Sequence, residues 1–225
     1  MKNVLYDYNV HLVTLWSYKN NLFKRIKTAK MVVIYMAVDR RKQIVEAASK
    51  SFATFGYKAT TMEQVAKIAN VGKGTIYTFF KTKEELFSEI ISGLIQEMRE
   101  TADESFHPER PFMENVHKTL VKMLEFRKEH QLTVKLFQEQ KEMGTLEVKE
   151  VIDRLESAIV QYIRNRVQEA IDKREIQQCD TELMAFLIFK LYIALIFDWE
   201  KNHAPLQGEE IAGFLEKTFF KGLSV

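Results

Sequence analysis

The stretch from Asn70 to Leu86 contains residues that can bind phosphate groups. It reads N-V-G-K-G-T-I-Y-T-F-F-K-T-K-E-E-L, with two glycines around Lys73 and a hydroxyl at Thr75. Glycine, lysine and threonine together can hold the phosphates of a nucleotide, as in a P-loop. The same residues can instead open a short helix that lies against the phosphates of DNA. The neighbouring elements decide between these two chemistries.

A P-loop requires the order G-x-x-x-x-G-K-[ST] after a buried strand. The residues before Gly72 instead have the apolar spacing of a helix, and a glycine separates Lys73 from Thr75. No glycine stands five residues before Gly72. Both the order and the context therefore argue against nucleotide binding by this motif.

Three helical patterns around the stretch form the outline of a helix-turn-helix unit. A helix from Asp39 carries apolar residues three and four apart and ends at Gly56. Thr60 and Glu63 have the spacing of a capping box, which predicts the start of a second, short helix. A turn over residues 70–72 then leads to a third helix, and two short helices joined by a tight turn define the motif.

The third helix is predicted to have one face for the protein and one for DNA. Ile76 and Phe80 are four residues apart and are expected to anchor it on the first helix. Tyr77 and Lys81, also four apart, share the outer edge, where a phenol and an ammonium can bond phosphate oxygens. The first turn, 73–75, is expected to approach base edges in the major groove.

This region resembles the DNA-binding domain of the TetR family of transcriptional regulators. The resemblance covers about residues 41–90 and rests on T-T-x-x-x-V-A from Thr60, A-N-V-G-K-G-T-I-Y from Ala69 and F-F-K-x-K-E-x-L from Phe79. It implies phosphate contacts by Tyr77, Lys81 and a threonine at the start of the second helix. The full set of DNA-binding residues is expected to be Thr60, Thr61, Lys73, Gly74, Thr75, Tyr77, Thr78, Phe79, Lys81 and Lys83.

Two positions depart from the family's pattern. Relatives usually have glycine where this chain has Asn70, and asparagine tolerates the left-handed backbone conformation that a turn can require. Relatives commonly have tyrosine or histidine where this chain has Phe79, so an apolar contact with a sugar or a thymine methyl would replace a polar one. Phe79 fits a core position equally well, and Lys83 also fits an exposed lysine without a partner.

The whole chain predicts an all-α fold of about nine helices. Only 3 prolines and 8 glycines serve 225 residues, which suits long helices better than many strands. Residues 36–92 are expected to form a three-helix DNA-binding domain, with the helix-turn-helix at about 60–80. Residues 93–225 are expected to form a larger helical domain for ligand binding and dimerisation. Residues 1–35 show neither the apolar spacing of a helix nor the alternation of a strand. This favours an over-extended reading frame, with the true start at Met36 or Met31. The alternative is a basic arm that contacts DNA or the rest of the protein.

The charges are unevenly distributed along the chain. The first 90 residues contain fifteen basic and seven acidic residues, whereas the rest contains eighteen and twenty-four, which suggests a polyanionic partner for the N-terminal part. Cys179 is the only cysteine, and the apolar segment Met184–Phe197 is shorter than the roughly 20 residues of a membrane span. We therefore expect a cytoplasmic protein with no membrane partner, metal or cofactor.

The helix predicted over Thr181–Lys201 is apolar almost all round and needs a partner as well as its own core. One helix-turn-helix unit reads only a few base pairs, so a homodimer on a palindromic double-stranded DNA operator is expected. The family resemblance likewise implies dimerisation through the last two long helices. The predicted interface consists of Ile188, Tyr192, Leu195, Trp199, Phe214, Leu215, Thr218 and Phe219.

The family resemblance also implies a small-molecule site in the C-terminal domain. Methionine and phenylalanine suit an adaptable apolar pocket. The residues predicted to line it, each of which fits plain core as well, are Phe112, Val116, Met123, Phe126, Phe137, Ile159 and Tyr162.

The predicted function is a DNA-binding repressor that a small hydrophobic ligand, such as a long-chain acyl compound, releases from its operator. An architectural DNA-binding protein without an effector is the alternative. An enzyme is disfavoured because the five histidines are scattered along the chain and no catalytic constellation is visible.

Overall fold

The computed structural model describes residues 40–217, and within them the chain forms nine α-helices and no β-strand. This confirms the all-α prediction. The extension 1–35 and the predicted interface residues Thr218 and Phe219 lie outside the described residues. The helices are α1 (40–55), α2 (Met62–Ile68), α3 (Lys73–Phe79), α4 (Lys83–Ser105), α5 (Phe112–Glu129), α6 (Gln131–Met143), α7 (Leu146–Asp172), α8 (Thr181–Ile193) and α9 (Gly208–Leu215).

Helices α1 to α3, the predicted DNA-reading unit, pack with the start of α4 around one apolar core. Ile44 and Phe52 of α1 and Ile76 of α3 are fully buried, and Phe80 directly after α3 is 1% exposed. The inward positions of Ile76 and Phe80 confirm the predicted anchor of α3 on α1. The same core continues into α6 and α7, so the reading unit rests on the C-terminal helices through packed apolar side chains.

Helix α4 joins the reading unit to the rest of the molecule. Its 23 residues span about 34 Å at the usual rise per residue. Thr82 caps it by accepting a hydrogen bond from the Glu85 backbone N–H. Two glutamates in the first turn further stabilise the helix, because their negative charge lies at the positive end of its dipole. The N-terminal half carries Leu86 and Phe87 of the first core. The C-terminal half reaches the centre of the C-terminal helices.

Helices α5, α7, α8 and α9 build a second apolar core. The helix predicted over Thr181–Lys201 is not continuous, because α8 ends at Ile193 and is followed by a π-helical turn (Ala194–Asp198) and a 3-10 turn (Trp199–Lys201). We call residues 194–201 the irregular segment. Arg127 of α5 holds it, since its guanidinium donates to the Ile196 carbonyl (2.9 Å) and to Glu200 (2.9 Å). The apolar pattern here runs around all sides of the helix, so it contains no signal for this change.

The described helices contain between 7 residues, in α2 and α3, and 27 residues, in α7. None of them is long and apolar enough to cross a bilayer.

Candidate nucleic-acid interface and ligand cavity

The N-cap of α2 is Thr61 rather than Thr60. Thr61 Oγ1 accepts from the Gln64 N–H (3.2 Å), and Gln64 Oε1 accepts from the Thr61 N–H (2.9 Å). Thr60 is 1% exposed, and its hydroxyl donates to the Gly56 carbonyl (2.9 Å) and lies 3.1 Å from Ser51 Oγ. The predicted capping box therefore shifts by one residue. The predicted DNA contact by Thr60 is wrong, because its hydroxyl is used inside the protein, whereas Thr61 lies on the surface.

The turn between α2 and α3 has the bonding pattern of a Schellman motif. Asn70 has a φ of 52°, in the left-handed region. The Asn70 N–H donates to the Lys67 carbonyl (3.2 Å), and the Val71 N–H donates to the Ala66 carbonyl (3.0 Å). These bonds satisfy carbonyls at the end of α2 while the chain reverses direction. The expectation that asparagine supports this turn is confirmed.

The first turn of α3 lies on the protein surface. Lys73 and Gly74 are exposed, and Thr75 is half-buried. Apart from the neighbouring residues and backbone of α3 itself, no atom of the described residues lies within 4 Å of the position that a Cβ on Gly74 would occupy. Thr78 is also exposed, and its hydroxyl donates to the Thr75 carbonyl (2.6 Å). This placement agrees with base reading by residues 73–75, which stays a prediction.

Tyr77, Phe79 and Lys81 form the other end of this surface. Tyr77 and Phe79 are half-buried against the first core, so each offers only part of its ring to a partner. Lys81 is exposed, and its ammonium donates to the Tyr77 carbonyl (3.1 Å). An ammonium has three N–H donors, so this contact leaves Lys81 two donors for phosphate oxygens. The DNA contacts of these three residues stay predictions.

Lys83 stabilises the turn before α2. Its Nζ donates to the carbonyls of Tyr57 (3.0 Å) and Thr60 (3.2 Å) and lies 4.1 Å from the centre of the Tyr57 ring. Two of the three donors of its ammonium are used by these carbonyls, and the predicted DNA contact by Lys83, for which one donor remains, stays a prediction. The position of Lys83 on α4 does not indicate its bonds to Tyr57 and Thr60, since those carbonyls belong to a turn more than twenty residues earlier in the chain.

Glu63 of α2 is a neighbour of the reading turn that the sequence interpretation missed. Its Oε1 lies 2.7 Å from Lys73 Nζ, and both side chains are exposed. The bond to Lys73 lowers the pKa of Glu63, and the same bond raises the pKa of Lys73. A carboxylate at this place repels phosphate and can accept from the N4 amino group of cytosine. The contact depends on the angle between α2 and α3, which residue spacing does not determine.

A cavity of about 150 Å³ lies between α4, α5, α7 and α8. Five predicted residues line it, namely Phe112, Val116, Met123, Ile159 and Tyr162. Most other lining residues are also apolar, and they come from all four helices: Ile95, Met98, Leu120, Leu155, Ile163, Ile188, Phe189 and Tyr192. The lining therefore suits a hydrophobic ligand.

A polar cluster lies at one side of the cavity. The Tyr162 hydroxyl donates to Asp103 Oδ1 (2.8 Å), and Arg166 Nη2 donates to the same oxygen (2.6 Å). The Arg166 guanidinium also lies 4.5 Å from the centre of the Phe106 ring. Burial, together with the hydrogen bond to Asp103, raises the pKa of Tyr162 to about 12, although the hydrogen bond with Arg166 acts in the opposite direction. The phenol is therefore neutral and remains a hydrogen-bond donor at neutral pH.

Phe126 and Phe137 do not line the cavity, contrary to the prediction. Phe126 belongs to the first core and stacks on the His130 ring, with 3.7 Å between the ring centres. Phe137 of α6 packs against Phe197, 4.9 Å between ring centres. Phe126 therefore packs where α5 meets α6, and Phe137 packs between α6 and the irregular segment.

Residues 44–90 match the family model described as bacterial regulatory proteins, tetR family. The uncharacterised HTH-type transcriptional regulator YhgD of Bacillus subtilis is 60% identical over 189 residues, which is 84% of this chain and 99% of that protein. The chain belongs to the TetR family. It is therefore a DNA-binding transcriptional regulator.

Two further regulators match over most of their length. The fatty acid metabolism regulator protein of Bacillus subtilis is 26% identical over 165 residues, 71% of this chain and 83% of that protein. The solved structure of the fatty acid degradation regulator FadR from Bacillus halodurans has a TM-score of 0.65 at 18% identity, covering 79% of this chain and 93% of that chain. The latter similarity shows a common fold.

Large apolar side chains are exposed on α8, the irregular segment and α9 of this TetR-family protein. They are Leu183, Phe186, Leu187, Trp199 and Phe214. Trp199 and Phe214 belong to the predicted dimer interface, and their role there stays a prediction.

Three other predicted interface residues face inward. Ile188 and Tyr192 line the cavity, and Leu215 is 1% exposed in the second core, so their assignment to the interface is wrong. Leu195 is half-buried against the same core. A helix that is apolar on every side does not indicate which side meets its own core. The sequence therefore predicts the interface on the side of α8 that faces the cavity, whereas the exposed side carries Leu183, Phe186 and Leu187.

Proposed function

We propose that this TetR-family regulator is a dimeric repressor that binds a palindromic operator and is released by a hydrophobic compound. The observation that carries the proposal is the exposed first turn of α3, which is held outward by the buried Ile76 and Phe80. Lys73, Gly74 and Thr75 are proposed to read base edges in the major groove. Thr61, Tyr77 and Lys81 are proposed to bond phosphates and so to set the register of α3 on the duplex.

The exposed apolar side chains of α8, the irregular segment and α9 are proposed to form the dimer interface. An exposed apolar surface of this kind is commonly an interaction site in a soluble protein. A two-fold axis would repeat the same patch on both subunits and place two α3 helices on successive half-sites.

The cavity is proposed to hold the effector. Its apolar lining favours a greasy ligand, and the name of the related fatty acid metabolism regulator supports an acyl compound. The neutral Tyr162 hydroxyl and the Arg166 guanidinium are available to orient a polar group of such a ligand at one side. Because Asp103 partly neutralises Arg166, the acyl chain rather than the head group is expected to supply most of the affinity.

Helix α4 is suited to connect the cavity with the DNA-reading unit. Ile95 and Met98 line the cavity, while Lys83 binds the turn before α2 and Glu89 bonds Arg41 of α1 (2.6 Å). A ligand that fits the cavity better in one position of α4 would shift the population toward that position. The spacing of the two reading units, and with it operator affinity, would then change.

The test is fluorescence anisotropy on the DNA upstream of the protein's own gene, with and without a panel of fatty acids, acyl thioesters and hydrophobic drugs. Specific binding that one class of compound weakens is the expected result. Specific binding that no compound changes would favour an architectural DNA-binding protein instead. Absence of binding to any DNA would refute both functions.

A further inference from the structure

Helix α6 contributes a buried carboxylate to the DNA-reading unit. Glu139 is 9% exposed, and its Oε2 accepts from the Tyr57 N–H (2.7 Å) while its Oε1 accepts from the Lys58 N–H (2.9 Å). Tyr57 and Lys58 lie in the turn between α1 and α2, about eighty residues earlier in the chain. Both oxygens of one side chain are thus used to hold the backbone of another part of the molecule.

Gly56 shows how closely the turn and the carboxylate fit. Its φ is +85°, a conformation that other residues adopt at a cost. A Cβ at this position would lie 2.5 Å from Glu139 Oε2. The backbone of the turn therefore approaches the carboxylate more closely than any residue with a side chain would allow.

The two hydrogen bonds are of the strong, charge-assisted kind. Removal of the carboxylate would leave two amide donors of the turn without their partner. A buried donor without a partner destabilises the folded state by the full free-energy cost of its desolvation. We therefore expect the turn to shift toward solvent.

Helix α4 also holds this turn, through its carbonyls rather than its amides. Lys83 binds the carbonyls of Tyr57 and Thr60, whereas Glu139 binds the amides of Tyr57 and Lys58. A cation on carbonyls and an anion on amides together determine the position of the four residues that lead into α2. Thr61, the N-cap of α2, follows directly.

Helix α6 also contacts the irregular segment, which follows the cavity residue Tyr192 on α8. Phe137 packs on Phe197, and Lys141 Nζ lies 2.9 Å from Asp198 Oδ1. Glu139 therefore lies on a helix whose other contacts reach the segment that directly follows α8, although neither α6 nor that segment lines the cavity itself.

We propose that Glu139 is a positioning residue for DNA reading, through which a movement of α6 changes the orientation of α2 and α3. The proposal rests on the DNA-binding function proposed above. It assigns to α6 a direct hydrogen-bonded connection to the reading unit that is separate from the one through α4.

The test compares Glu139→Gln with Glu142→Gln, which removes the same charge from an exposed position on α6. Glutamine is nearly isosteric but directs an amide NH₂ at one of the two backbone donors. Amide hydrogen exchange is measured over residues 62–79, which Glu139 does not contact through any of the hydrogen bonds above. Affinity for operator and for scrambled DNA is measured by anisotropy in parallel.

We expect faster exchange over 62–79 in Glu139→Gln and about tenfold weaker operator binding, with scrambled DNA affected much less. Glu142→Gln is expected to match the wild type. Glu139→Asp, which is one methylene shorter, is expected to give the same pattern with a smaller amplitude.

Unchanged exchange and operator affinity in Glu139→Gln would overturn the proposal. A variant that loosens throughout the molecule, rather than over 62–79, would also overturn it by assigning Glu139 a general structural role. If the wild type binds no operator, the proposed function fails, while the exchange experiment still decides the role of Glu139.

Discussion

Lys73 and Lys81 have the same charge but different surroundings on the reading surface. Lys73 lies on the first turn of α3 beside Glu63, whereas Lys81 follows α3 and its ammonium donates to the Tyr77 carbonyl. We expect Lys81→Ala to weaken binding to all sequences alike and to lower the salt slope by about one. Lys73→Ala should also change sequence preference, because its ammonium is proposed to contact base edges.

The measurement is anisotropy on operator and scrambled duplexes over a range of salt concentrations. The division of roles would be refuted by an equal loss of affinity on every sequence for both variants.

Glu63 is expected to act against indiscriminate binding. Its carboxylate occupies Lys73 in the free protein and repels phosphates near the reading turn. Glu63→Gln should therefore bind scrambled DNA several-fold more tightly, with a salt slope steeper by about one. Glu142→Gln, with the same charge change on α6, serves as the control. A Glu63→Gln protein with unchanged affinity for scrambled DNA would contradict this role.

Gly56 and Gly74 have opposite structural requirements. Gly56 ends α1 with a positive φ beneath Glu139, whereas Gly74 lies inside α3 with open space around it. Gly56→Ala is expected to destabilise the fold by about 1–2 kcal/mol. Gly74→Ala is expected to stabilise it by up to about 1 kcal/mol, since alanine favours helices, yet to weaken operator binding because the methyl faces DNA.

Urea unfolding and anisotropy on the same samples separate these effects. A Gly74→Ala protein that binds operator as well as the wild type would show that close backbone approach is not required there.

The contact between α6 and the irregular segment predicts a pH effect. Hydrogen bonds from Lys201 and Lys141 lower the pKa of Asp198 to about 2, below its ordinary value near 3.9. A carboxyl with a lowered pKa stabilises the folded state at higher pH, and this contribution disappears as the pH falls from about 4 through 2. Carboxyl NMR titration should show the low pKa and a rise toward the ordinary value in Lys201→Ala. An unchanged pKa in that variant would remove Lys201 as the cause.

At the scale of the whole molecule, operator affinity depends on the proposed two-fold assembly. Phe186 is 44% exposed on α8, among the other exposed apolar side chains. Phe186→Glu would replace an apolar ring in that interface by a charged carboxylate, and the dimer dissociation constant is expected to rise at least about tenfold. Ser157→Glu, on the exposed surface of α7, is the control.

Analytical ultracentrifugation and circular dichroism check this expectation together. A Phe186→Glu protein that stays a dimer at low concentration would exclude this face as the interface. Loss of helicity would indicate unfolding rather than dissociation.

Local patterns alone were sufficient for much of the DNA-reading unit. Apolar spacing over α1 and α3 identified their inward faces, and the order of residues 70–75 identified the turn and the surface that follows it. These features depend on contacts within a few residues of each other, such as the bonds that Asn70 makes with the end of α2. The capping box is formed by Thr61 and Gln64, one residue later than the predicted Thr60 and Glu63, because consecutive threonines offer the same local chemistry.

Contacts between distant parts of the chain required the tertiary structure. Lys83 and Thr60 had the residue types of DNA contacts, but the carbonyls they bind come together only when α4 packs beside the turn before α2. Glu139 is an ordinary polar position in the pattern of α6, and only the packing of α6 on the reading unit brings it to the amides of Tyr57 and Lys58. The sequence by itself determined the helices and the surface of α3, because local spacing encodes them. The tertiary structure decided which side of α8 faces the cavity and which charged groups connect helices that are distant in the chain, because those depend on how the helices are oriented relative to each other.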